Sequence, residues 1–416
     1  MDPVRILWVK ADKLLPVHNG GNIRSFHILR QLALQHEITL FSYYGGPRDL
    51  AYEEALTQHF PGAVCLCTAS SASAGWKRGL DYLFRFPGGA PYAVARFASH
   101  GVRQGLGRWY SERAADVAVC DFLDAAVNFP EKLTIPTVLF QHNVESEIWR
   151  RHAETEANPA RRLMYRVEFA RMLRYEQRIV RKFDHVIAVS GHDSDLMGRW
   201  VPASHLTVVP TGVDLQKFRP DSSASAKEPL IMFIGAMDWE PNIDALEYFS
   251  SEIWPAIRAK VPEARLRIVG RNPDRRVQRL ASDAMAVTGE VPSVVEHLRE
   301  AAVVVVPLRI GGGTRLKIYE AMAMGKAVVS TSIGAEGLEV RHGRDLVIAD
   351  TPTGFADAVV RLLQDRELRR RYEQAAADLA SRHDWSAVGG KFMQTLTAVV
   401  SERFIAGGQC VPAAQI

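Results

Sequence analysis

The residue types that could do chemistry are concentrated in one segment, 302–326, with the sequence AVVVVPLRIGGGTRLKIYEAMAMGK. A run of valines predicts a buried strand, three glycines follow at 311–313, and a helical pattern begins after them. A glycine-rich turn that joins a strand to a helix presents backbone N–H groups to an anion. Glycine also lets a ligand approach the backbone closely. The segment therefore predicts a binding turn for phosphate or a similar anion.

Charged side chains follow the glycines at short spacing. Arg315 and Lys317 fall in the first turn of the predicted helix, where the helix dipole makes cations unfavourable. A bound anion would offset that cost, and Glu320, one turn later, could accept hydrogen bonds from hydroxyl groups. We predict that Thr314 caps the helix and that Gly325 ends it. The alternative is a plain tight turn with a Lys317–Glu320 pair on the helix surface.

Two further candidates in the first half of the chain follow predicted strands. Gly20 and Gly21 lie in a turn after the first strand pattern, but no G-x-G-x-x-G follows that strand, which argues against a dinucleotide fingerprint. His142 follows the strand pattern Thr137–Gln141 and begins a loop, the position at which parallel sheets hold ligands. A plain strand–helix turn and a structural histidine are the alternatives.

Acidic residues in a metal-binding pattern are few. Asp193 and Asp195 form a D-x-D pattern, but Ser190 stands three residues before Asp193, a spacing that predicts a helix cap. Glu145 and Glu147 are two residues apart on a predicted helix and so do not face each other. No cluster of His, Cys and Asp has the spacing of a metal site. We therefore expect neither a metal ion nor a cofactor.

Short apolar runs alternate with helical patterns along the chain, which predicts β-α-β units and parallel sheets. The strands predicted in the first half are 4–9, 37–43, 115–120, Thr137–Gln141 and 185–189. A second series is predicted at 206–209, Leu230–Ile234, Arg265–Val269, 303–308 and Ala327–Ser330. Cys65 and Cys67 fall on one face of another strand-like run, and we interpret them as core thiols.

The length of 416 residues suggests two or three domains. We predict the α/β fold class, with two Rossmann-like, doubly wound parallel-sheet domains that face each other across a cleft. The first domain would comprise 1–205 and the second 206–385. A C-terminal helix, 386–406, could pack back onto the first domain, and 407–416 would form a loose tail.

The composition argues against nucleic-acid-binding, membrane-spanning and disulfide-rich proteins. The 51 basic and 47 acidic residues leave a net charge of +4, too even a balance to predict a nucleic-acid-binding protein. No run approaches the roughly 18 apolar residues that a membrane-spanning helix needs. We do not expect the first residues to act as a signal peptide, because the apolar stretch before Lys10 is short. Four cysteines are too few for a disulfide framework. We therefore expect a cytoplasmic protein.

Segment 302–326 resembles the donor-binding signature of retaining glycosyltransferases of the GT-B fold, the family-4 (group 1) type. Other segments agree with that family in their order and spacing, from about residue 4 to residue 400. They are IRSFHILRQLA, VLFQHN, VIAVSGHDSDLM, VVPTGVD, IMFIGAMDWEPNIDALEYF, LRIVGRNP, VTGEVPSVVEHL and EAMAMGKAVVSTSIGAEGL.

The resemblance implies an enzyme that moves a sugar from a nucleoside-diphosphate sugar to a hydroxyl acceptor, with retention of the anomeric configuration and without a metal. The nucleotide sugar would be a substrate, not a cofactor. The acceptor would be a polysaccharide, a lipid-linked molecule or a small molecule, in polysaccharide or glycolipid assembly. A catalytically silent sensor or scaffold of the same fold, which binds nucleotide sugars, is the alternative.

The resemblance also implies roles for single residues. Glu320 would hold the ribose hydroxyls, and Thr314, Arg315 and Lys317 the diphosphate. Arg315 and Lys317 would assist catalysis by neutralising the departing diphosphate, and His142 would act at the transferred sugar. The other donor-binding residues would be Gly20, Gly21, Gly235, Gly270, Arg271, Val291, Gly312 and Gly313.

Two positions depart from the family pattern. Gly312 stands where the family has a glutamate that contacts the donor sugar, so the backbone of Gly312 and Gly313 would take over that contact. Ala236 stands where the family often has an arginine, and no lysine follows nearby. Arg315 and Lys317 must then supply the positive charge at the diphosphate.

The excess positive charge is concentrated at 150–182, which contains ten basic and four acidic residues. One interpretation is a core-packed helix with a solvated arginine-rich rim. The other is contact with anionic lipid head groups at the inner face of a membrane, or with a charged acceptor. An apolar stripe at helical spacing runs through the segment: Phe169, Met172, Tyr175, Ile179 and Phe183. Nearby aromatic residues could add to the contact: Trp76, Tyr82, Phe84, Phe86 and Trp109.

Overall fold

The computed structural model describes residues 3–68, 81–82, 90–131, 133–220 and 229–407. The chain divides into two compact units. The first unit contains the residues up to Pro210 together with those from Ser386 onward, and the second unit is Thr211–Trp385. Residues 408–416 of the predicted tail, and Trp76, Phe84 and Phe86 of the aromatic segment, lie outside the described residues.

The first unit is built on a parallel sheet of seven described strands. They are β1 (Arg5–Ala11), β2 (Glu37–Gly45), β3 (Val64–Thr68), β4 (Val117–Asp121), β5 (Thr137–Gln141), β6 (His185–Ala188) and β7 (Leu206–Val208). Their order is β3-β2-β1-β4-β5-β6-β7, so the winding reverses from β1 to β4. Such a reversal opens a crevice at the carboxyl ends of the strands, where ligands bind.

Helices connect these strands, as parallel pairing requires. They are α1 (Gly20–Leu32), α2 (Leu50–His59), α3 (Tyr92–Ala95), α4 (His100–Glu112), α5 (Glu145–Thr155), α6 (Pro159–Val180) and α7 (Gly191–Met197), with 3₁₀ turns at Ala125–Val127 and Ala203–His205. β4 and β5 are buried along their whole length, because a parallel sheet of this kind is covered on both faces.

The second unit repeats this architecture with six described parallel strands. They are β8 (Leu230–Ile234), β9 (Arg265–Val269), β10 (Met285–Val287), β11 (Val303–Val306), β12 (Ala327–Ser330) and β13 (Val347–Ile348). The order is β10-β9-β8-β11-β12-β13, and the winding reverses from β8 to β11.

Eight described helices flank the second sheet. They are α8 (Glu240–Tyr248), α9 (Trp254–Lys260), α10 (Arg275–Gln278), α11 (Val294–Glu300), α12 (Leu316–Ala323), α13 (Ser332–Ala335), α14 (Pro352–Gln364) and α15 (Arg366–Ala380), with a π turn, Phe249–Ile253, joining α8 to α9.

The last helix, α16 (Trp385–Gly407), returns the chain to the first unit. The ring of Phe392 is fully buried, and its centroid lies 5.5 Å from that of Trp8 and 5.0 Å from that of Phe140. Trp8 belongs to β1 and Phe140 to β5, so α16 packs on the sheet of the first unit and completes its core.

The α/β class and the two doubly wound parallel sheets are confirmed. Four predicted strands are matched to the residue: Thr137–Gln141, Leu230–Ile234, Arg265–Val269 and Ala327–Ser330. The assignment of the strand at 206–209 to the second series is wrong, because β7 pairs with β6 in the first sheet. The interpretation of Cys67 as a core thiol is also wrong, because β3 is an edge strand and leaves Cys67 exposed.

Truncation of Phe392 tests whether α16 is part of the core of the first unit. Phe392→Ala should lower the free energy of unfolding by about 3–5 kcal/mol, because it leaves a cavity against two aromatic rings. Leu34→Ala removes a side chain that is 74% exposed and should change it by less than about 0.5 kcal/mol. Urea unfolding followed by circular dichroism measures both variants. Equal midpoints for Phe392→Ala and the wild type would contradict the assignment.

Candidate functional site

The glycine turn of the second unit follows β11, at the reversal point of the sheet. Gly311 has a φ of 134° and Gly313 a φ of 71°, conformations that residues with a Cβ rarely adopt. Glycine is therefore required at both positions for the turn to form. The turn leads directly into α12, as the sequence pattern predicts.

The two ends of α12 differ in how well they were predicted. Arg315 occupies the N-cap position, and no side chain of the described residues caps it. The prediction of a Thr314 cap is wrong, because the Thr314 hydroxyl lies 2.5 Å from the hydroxyl of Thr211 instead. The predicted end of the helix is confirmed, because Gly325 follows the last turn with a φ of 63°.

Arg315 is buried beneath its own turn. Its Nη1 donates hydrogen bonds to the carbonyl oxygen of Gly312 at 2.5 Å and to that of Gly313. A Cβ placed on Gly311 would lie 2.9 Å from Nη2 of Arg315, so the turn wraps closely around the guanidinium. In this structure Arg315 therefore holds the shape of the glycine turn.

Lys317 lies in a tight cradle made by neighbouring strand ends. Its Nζ donates a hydrogen bond to Oδ1 of Asn242 at 3.0 Å and lies 4.5 Å from the centroid of the Phe233 ring. A Cβ on Gly235 would lie 2.8 Å from that Nζ, and a Cβ on Gly270 would lie 1.7 Å from the Gly235 carbonyl oxygen. Two predicted glycines and a predicted cation are thus in mutual contact, and only glycine fits at the two backbone positions.

The cradle changes the charge of Lys317. Burial lowers the pKa of its ammonium group to about 7, the nearby Arg315 lowers it as well, and Glu320 opposes them. Burial likewise raises the pKa of the Glu320 carboxyl, while Lys217 and Lys317 act in the opposite direction. Near neutral pH, Lys317 is therefore poised to gain or lose a proton as its surroundings change.

The remaining donor-site predictions in the second unit lie at the ends of strands. Arg271 directly follows Gly270 at the end of β9 and is half-buried. Its carbonyl oxygen accepts a hydrogen bond from the backbone N–H of Met237 at 2.9 Å. Val291 follows β10 and packs, half-buried, against the hydrophobic core of the unit. Their contacts with a ligand stay predictions.

In the first unit, His142 lies at the carboxyl end of β5 and is almost fully buried. Its Nε2 lies 2.8 Å from Oδ1 of Asp121, the last residue of β4, and its Nδ1 lies 3.4 Å from Nη1 of Arg24 in α1. A Cβ on Gly21 would lie 3.3 Å from the same Nδ1. The structure therefore brings together Gly21 and His142, two predicted residues that are 121 positions apart in the chain.

Asp121 is fully buried and is surrounded by donors. Its carboxylate accepts hydrogen bonds from Nε1 of Trp8 at 2.9 Å and from the Ser25 hydroxyl at 3.0 Å, and it forms an ion pair with Nζ of Lys10 at 3.5 Å. Burial alone would raise the pKa of Asp121, but Lys10 and the hydrogen bond from His142 hold it well below its usual range. The group is therefore an ionised carboxylate at neutral pH.

The same surroundings keep His142 uncharged. Burial lowers the pKa of its imidazole to about 4; Asp121 acts in the opposite direction, and Arg24 and Lys10 lower it further. Burial also lowers the pKa of Arg24 to about 10, against the attraction of Asp193 and Asp121. At neutral pH the site thus contains a neutral imidazole between an anionic and a cationic side chain.

The loop that carries His142 is held by Glu176 of α6. Its buried carboxylate accepts hydrogen bonds from the backbone N–H groups of Glu145 and Ser146 at 2.9 and 3.1 Å, and from Nε2 of Gln141 at 2.9 Å. Burial raises the pKa of Glu176 to about 7 and that of Glu145 to about 8. Glu176 therefore fixes both the end of β5 and the start of α5, with His142 in between.

The D-x-D pattern belongs to a helix start, as predicted. Ser190 is the N-cap of α7, and its hydroxyl accepts a hydrogen bond from the Asp193 backbone N–H at 3.0 Å. The same hydroxyl donates to the Asp193 carboxylate at 2.5 Å. Among the described residues, no group of three or more His, Cys, Asp and Glu side chains could hold a metal ion.

Comparison with known proteins now adds to this geometry. Residues 18–217 match the family model described as Glycosyltransferase Family 4, and residues 228–365 match the model described as Glycosyl transferases group 1. The chain belongs to the group 1, family-4 type of glycosyltransferase. Each model covers most of one unit, and the second match includes the glycine turn and the Lys317 cradle.

Among curated proteins, this family-4 chain is similar to the phosphatidyl-myo-inositol mannosyltransferase of Mycolicibacterium smegmatis, with 29% identity over 219 residues. That match covers 50% of this chain and 56% of the relative. The D-inositol 3-phosphate glycosyltransferase of Nocardia farcinica is 26% identical, over 55% of each chain. The aligned region thus spans little more than half the length of these relatives.

Solved structures show the fold. Sucrose-phosphate synthase from Thermosynechococcus elongatus superposes with a TM-score of 0.71 and 17% identity over 97% of this chain and all of that chain. Anabaena HepE in complex with UDP superposes with a TM-score of 0.67 and 14% identity over 95% of this chain and all of HepE. The family-4 chain therefore has the GT-B fold.

Sequence reasoning missed several side chains of these sites. Asp121, Lys10 and Arg24 are not among the predicted residues. A charge inside the apolar runs ILWVKA and VAVCDF is a usable signal for Lys10 and Asp121, whereas Arg24 has no such signal. Asn242 and Thr211 were missed because single polar residues in a helix start or a loop carry no pattern of their own. All five are nearly or fully buried, which the sequence does not reveal.

Titration of Lys317 tests the cradle of this glycosyltransferase-family chain. With ε-¹³C lysine labelling, the NMR signal that disappears in Lys317→Met should titrate near pH 7, because burial disfavours the charged ammonium. A bound diphosphate favours the charged form, so affinity for UDP should fall as the pH rises from 7 to 9.

The exposed Lys260 provides the control for this experiment. Lys260→Met should keep the pH dependence of UDP affinity, whereas Lys317→Met should weaken UDP binding and flatten its pH dependence. A Lys317 signal that stays protonated up to pH 9 would show that the cradle does not perturb the group.

Proposed function

We propose that this chain transfers a sugar from a nucleoside-diphosphate sugar to a hydroxyl acceptor, with retention of the anomeric configuration, in glycolipid or polysaccharide assembly. The observation that carries the proposal is the cradle of Lys317, Gly235, Gly270 and Asn242 beside the glycine turn. It combines close backbone approach with a half-buried ammonium group, the chemistry that a diphosphate needs. Membership of the glycosyltransferase family supports the same conclusion.

We propose a division of roles within the second unit. Lys317 binds the diphosphate and neutralises the charge that develops on it as the sugar departs. Arg315 acts at the same place from beneath the turn, because it fixes the carbonyls of Gly312 and Gly313 and so orients the N–H groups of the same two peptide units, those of Gly313 and Thr314. Glu320, one helical turn from Lys317, accepts hydrogen bonds from the ribose hydroxyls. Arg271 and Val291 line the rest of the donor site.

The printed names of similar proteins support the substrate classes. HepE was solved with UDP and with UDP-glucose, which supports a nucleoside-diphosphate sugar as the donor. The curated relatives are named for phosphatidyl-myo-inositol and D-inositol 3-phosphate, which supports a phosphorylated or lipid-linked polyol as the acceptor. We place His142 at the transferred sugar, because a fixed neutral imidazole can orient a sugar without adding charge.

Turnover of radiolabelled UDP-glucose and GDP-mannose, with phosphatidylinositol or inositol 3-phosphate as acceptor, tests this proposal. His142→Ala should lower kcat by about 10²-fold through loss of sugar orientation, with donor affinity unchanged. The exposed His205 is the control, and His205→Ala should leave kcat unchanged. EDTA should leave the rate unchanged, and NMR of the product should show the anomeric configuration of the donor.

The alternative, a silent nucleotide-sugar sensor, makes a different prediction in the same assay. It requires donor binding, measured by calorimetry, without hydrolysis or transfer of any labelled donor to any acceptor. Binding of a nucleotide sugar without turnover would therefore replace the enzyme proposal, and full activity of His142→Ala would remove His142 from it.

We further propose that α6 makes peripheral contact with an anionic membrane surface at the cytoplasmic face. Leu163, Met164 and Val167 are 63%, 43% and 36% exposed on the first turns of α6. Arg166 is exposed beside them and Arg174 is exposed two helical turns beyond Val167; within the part of the chain that the structure describes, neither arginine forms an ion pair. Exposed apolar side chains flanked by arginines are typical of helices that lie at a lipid interface.

The opposite face of α6 packs into the core, as the apolar stripe in the sequence predicts. Met172, Tyr175 and Ile179 are buried in the core of the first unit, and Phe169 is half-buried. The helix is therefore core-packed on one side, while its first turns present an apolar and cationic side to solvent. None of the helices in the described residues has the length and apolar content needed to cross a membrane.

Liposome co-sedimentation tests the membrane contact. The protein should bind vesicles that contain phosphatidylglycerol and not vesicles of phosphatidylcholine alone. Arg166→Glu with Arg174→Glu should reduce binding by about 30-fold or more, because each arginine near the surface contributes about 1 kcal/mol. Arg371→Glu reverses an exposed charge on α15 of the second unit and should not change binding. Equal binding of the double variant and the wild type would contradict the assignment to α6.

A further inference from the structure

A buried network at the carboxyl edge of the first sheet surrounds His142 from two sides. Asp121 Oδ1 lies 2.8 Å from Nε2, and Arg24 Nη1 lies 3.4 Å from Nδ1. Asp121 is fully buried, and Arg24 and His142 are buried almost as completely. The two ring nitrogens therefore face groups of opposite charge, with little access for water.

The chemistry of these partners specifies where the imidazole proton must be. An ionised carboxylate only accepts hydrogen bonds, so the Nε2 that faces Asp121 must carry hydrogen. A guanidinium only donates, so the Nδ1 that faces Arg24 must present its lone pair. Protonation of Nδ1 would place an N–H and a positive charge against Arg24. Both sides of the ring thus select the same neutral form.

We propose that Asp121 is a positioning residue that, together with Arg24, locks His142 as the neutral Nε2–H tautomer. Its consequence for the reaction rests on the proposed function: His142 cannot act as a general acid, and it presents a fixed, uncharged ring to the substrate. The lone pair of Nδ1 is directed towards Arg24 and the first turn of α1, where a Cβ on Gly21 would lie 3.3 Å from the same nitrogen. The tautomer itself does not depend on any activity.

The charged side chains around the His142 ring are themselves held by groups of opposite charge or by hydrogen bonds, as far as the described residues show. Lys10 of β1 pairs with Asp121 at 3.5 Å and holds its negative charge in place. Ser25 of α1 and Trp8 of β1 donate to the two Asp121 oxygens at 3.0 and 2.9 Å. Asp193 of α7 also attracts Arg24, and Lys10 attracts Asp124. Several independent contacts therefore fix the orientation of the Asp121 carboxylate towards Nε2 of His142.

The test is ¹⁵N NMR of histidine-labelled protein, with the His142 signals identified by their loss in His142→Gln. In the wild type at pH 7, Nε2 should show the chemical shift of a protonated ring nitrogen and Nδ1 that of an unprotonated one. In Asp121→Asn the new amide can turn its NH₂ towards Nε2, so the tautomer should reverse or become mixed. A wild-type spectrum with the Nδ1–H or a mixed tautomer would overturn the proposal.

The two flanking charges should also shift the His142 titration in opposite directions. The pKa of the ring should fall in Asp121→Asn, which removes the anion that favours the charged form, and rise in Arg24→Met, which removes a cation. Asp116→Asn is the matched control, since Asp116 lies just before β4 and pairs with Arg5 on the surface. It should change neither the tautomer nor the titration.

Kinetics separate a positioning role from a merely structural one. Asp121→Asn should lower kcat by about 10² or more, as expected for a wrong histidine tautomer, with the KM for the donor nearly unchanged. Unchanged kcat together with an unchanged tautomer in Asp121→Asn would refute the positioning role. If the wild type transfers no sugar, the proposed function fails, while the NMR result still decides the tautomer. If Asp121→Asn does not fold, the same kinetic and NMR measurements are made on Ser25→Ala, which removes one hydrogen-bond donor to Asp121 and keeps its charge.

Discussion

The carboxylate of Asp121 is buried away from water and must accept hydrogen bonds from protein groups, because an uncompensated buried charge costs several kcal/mol. β1 supplies Lys10 and Trp8, α1 supplies Ser25, and the loop after β5 supplies His142. One side chain thus ties together the carboxyl ends of neighbouring strands at the point where the sheet reverses. The direction of the His142 ring, the place of Arg24 and the close approach of Gly21 all follow from this single requirement.

In the second unit, Lys317 has no ion-pair partner among the described residues. The half-buried side chain of Lys317 contacts an amide oxygen and an aromatic ring, and the polypeptide backbone at Gly235 and Gly270 packs closely around it. A cation without a paired carboxylate gives up its proton easily, whereas the charges around Asp121 compensate one another. The two sheets therefore reverse their winding at the corresponding strand but differ in electrostatics: the charges around Asp121 balance one another, whereas Lys317 can change its charge near neutral pH.

The sequence predicted the features that have a local cause. β5, β8 and β12 are mainly apolar runs, and β9 alternates arginine with apolar residues, a strand pattern. The glycine turn is visible because its backbone excludes other residues. β10 and β13 have three and two residues, too few to form a pattern. The inward direction of Arg315 could not be predicted, because it depends on carbonyls that exist only in the folded turn. The partners of His142 lie 21 and 118 positions away along the chain, and no local pattern connects them.

The return of α16 to the first sheet has a consequence for the order in which the protein can be made. The second unit is one continuous stretch, Thr211–Trp385, and all of it has been synthesised before Phe392 reaches its place against Trp8 and Phe140. During translation, the residues of the first unit up to Pro210 are synthesised first, and α16, which completes its core, is synthesised last. The nascent chain must therefore keep an apolar surface of the first sheet uncovered while the second unit is synthesised, and a chain released before α16 would carry an incomplete core, a target for chaperones and proteases.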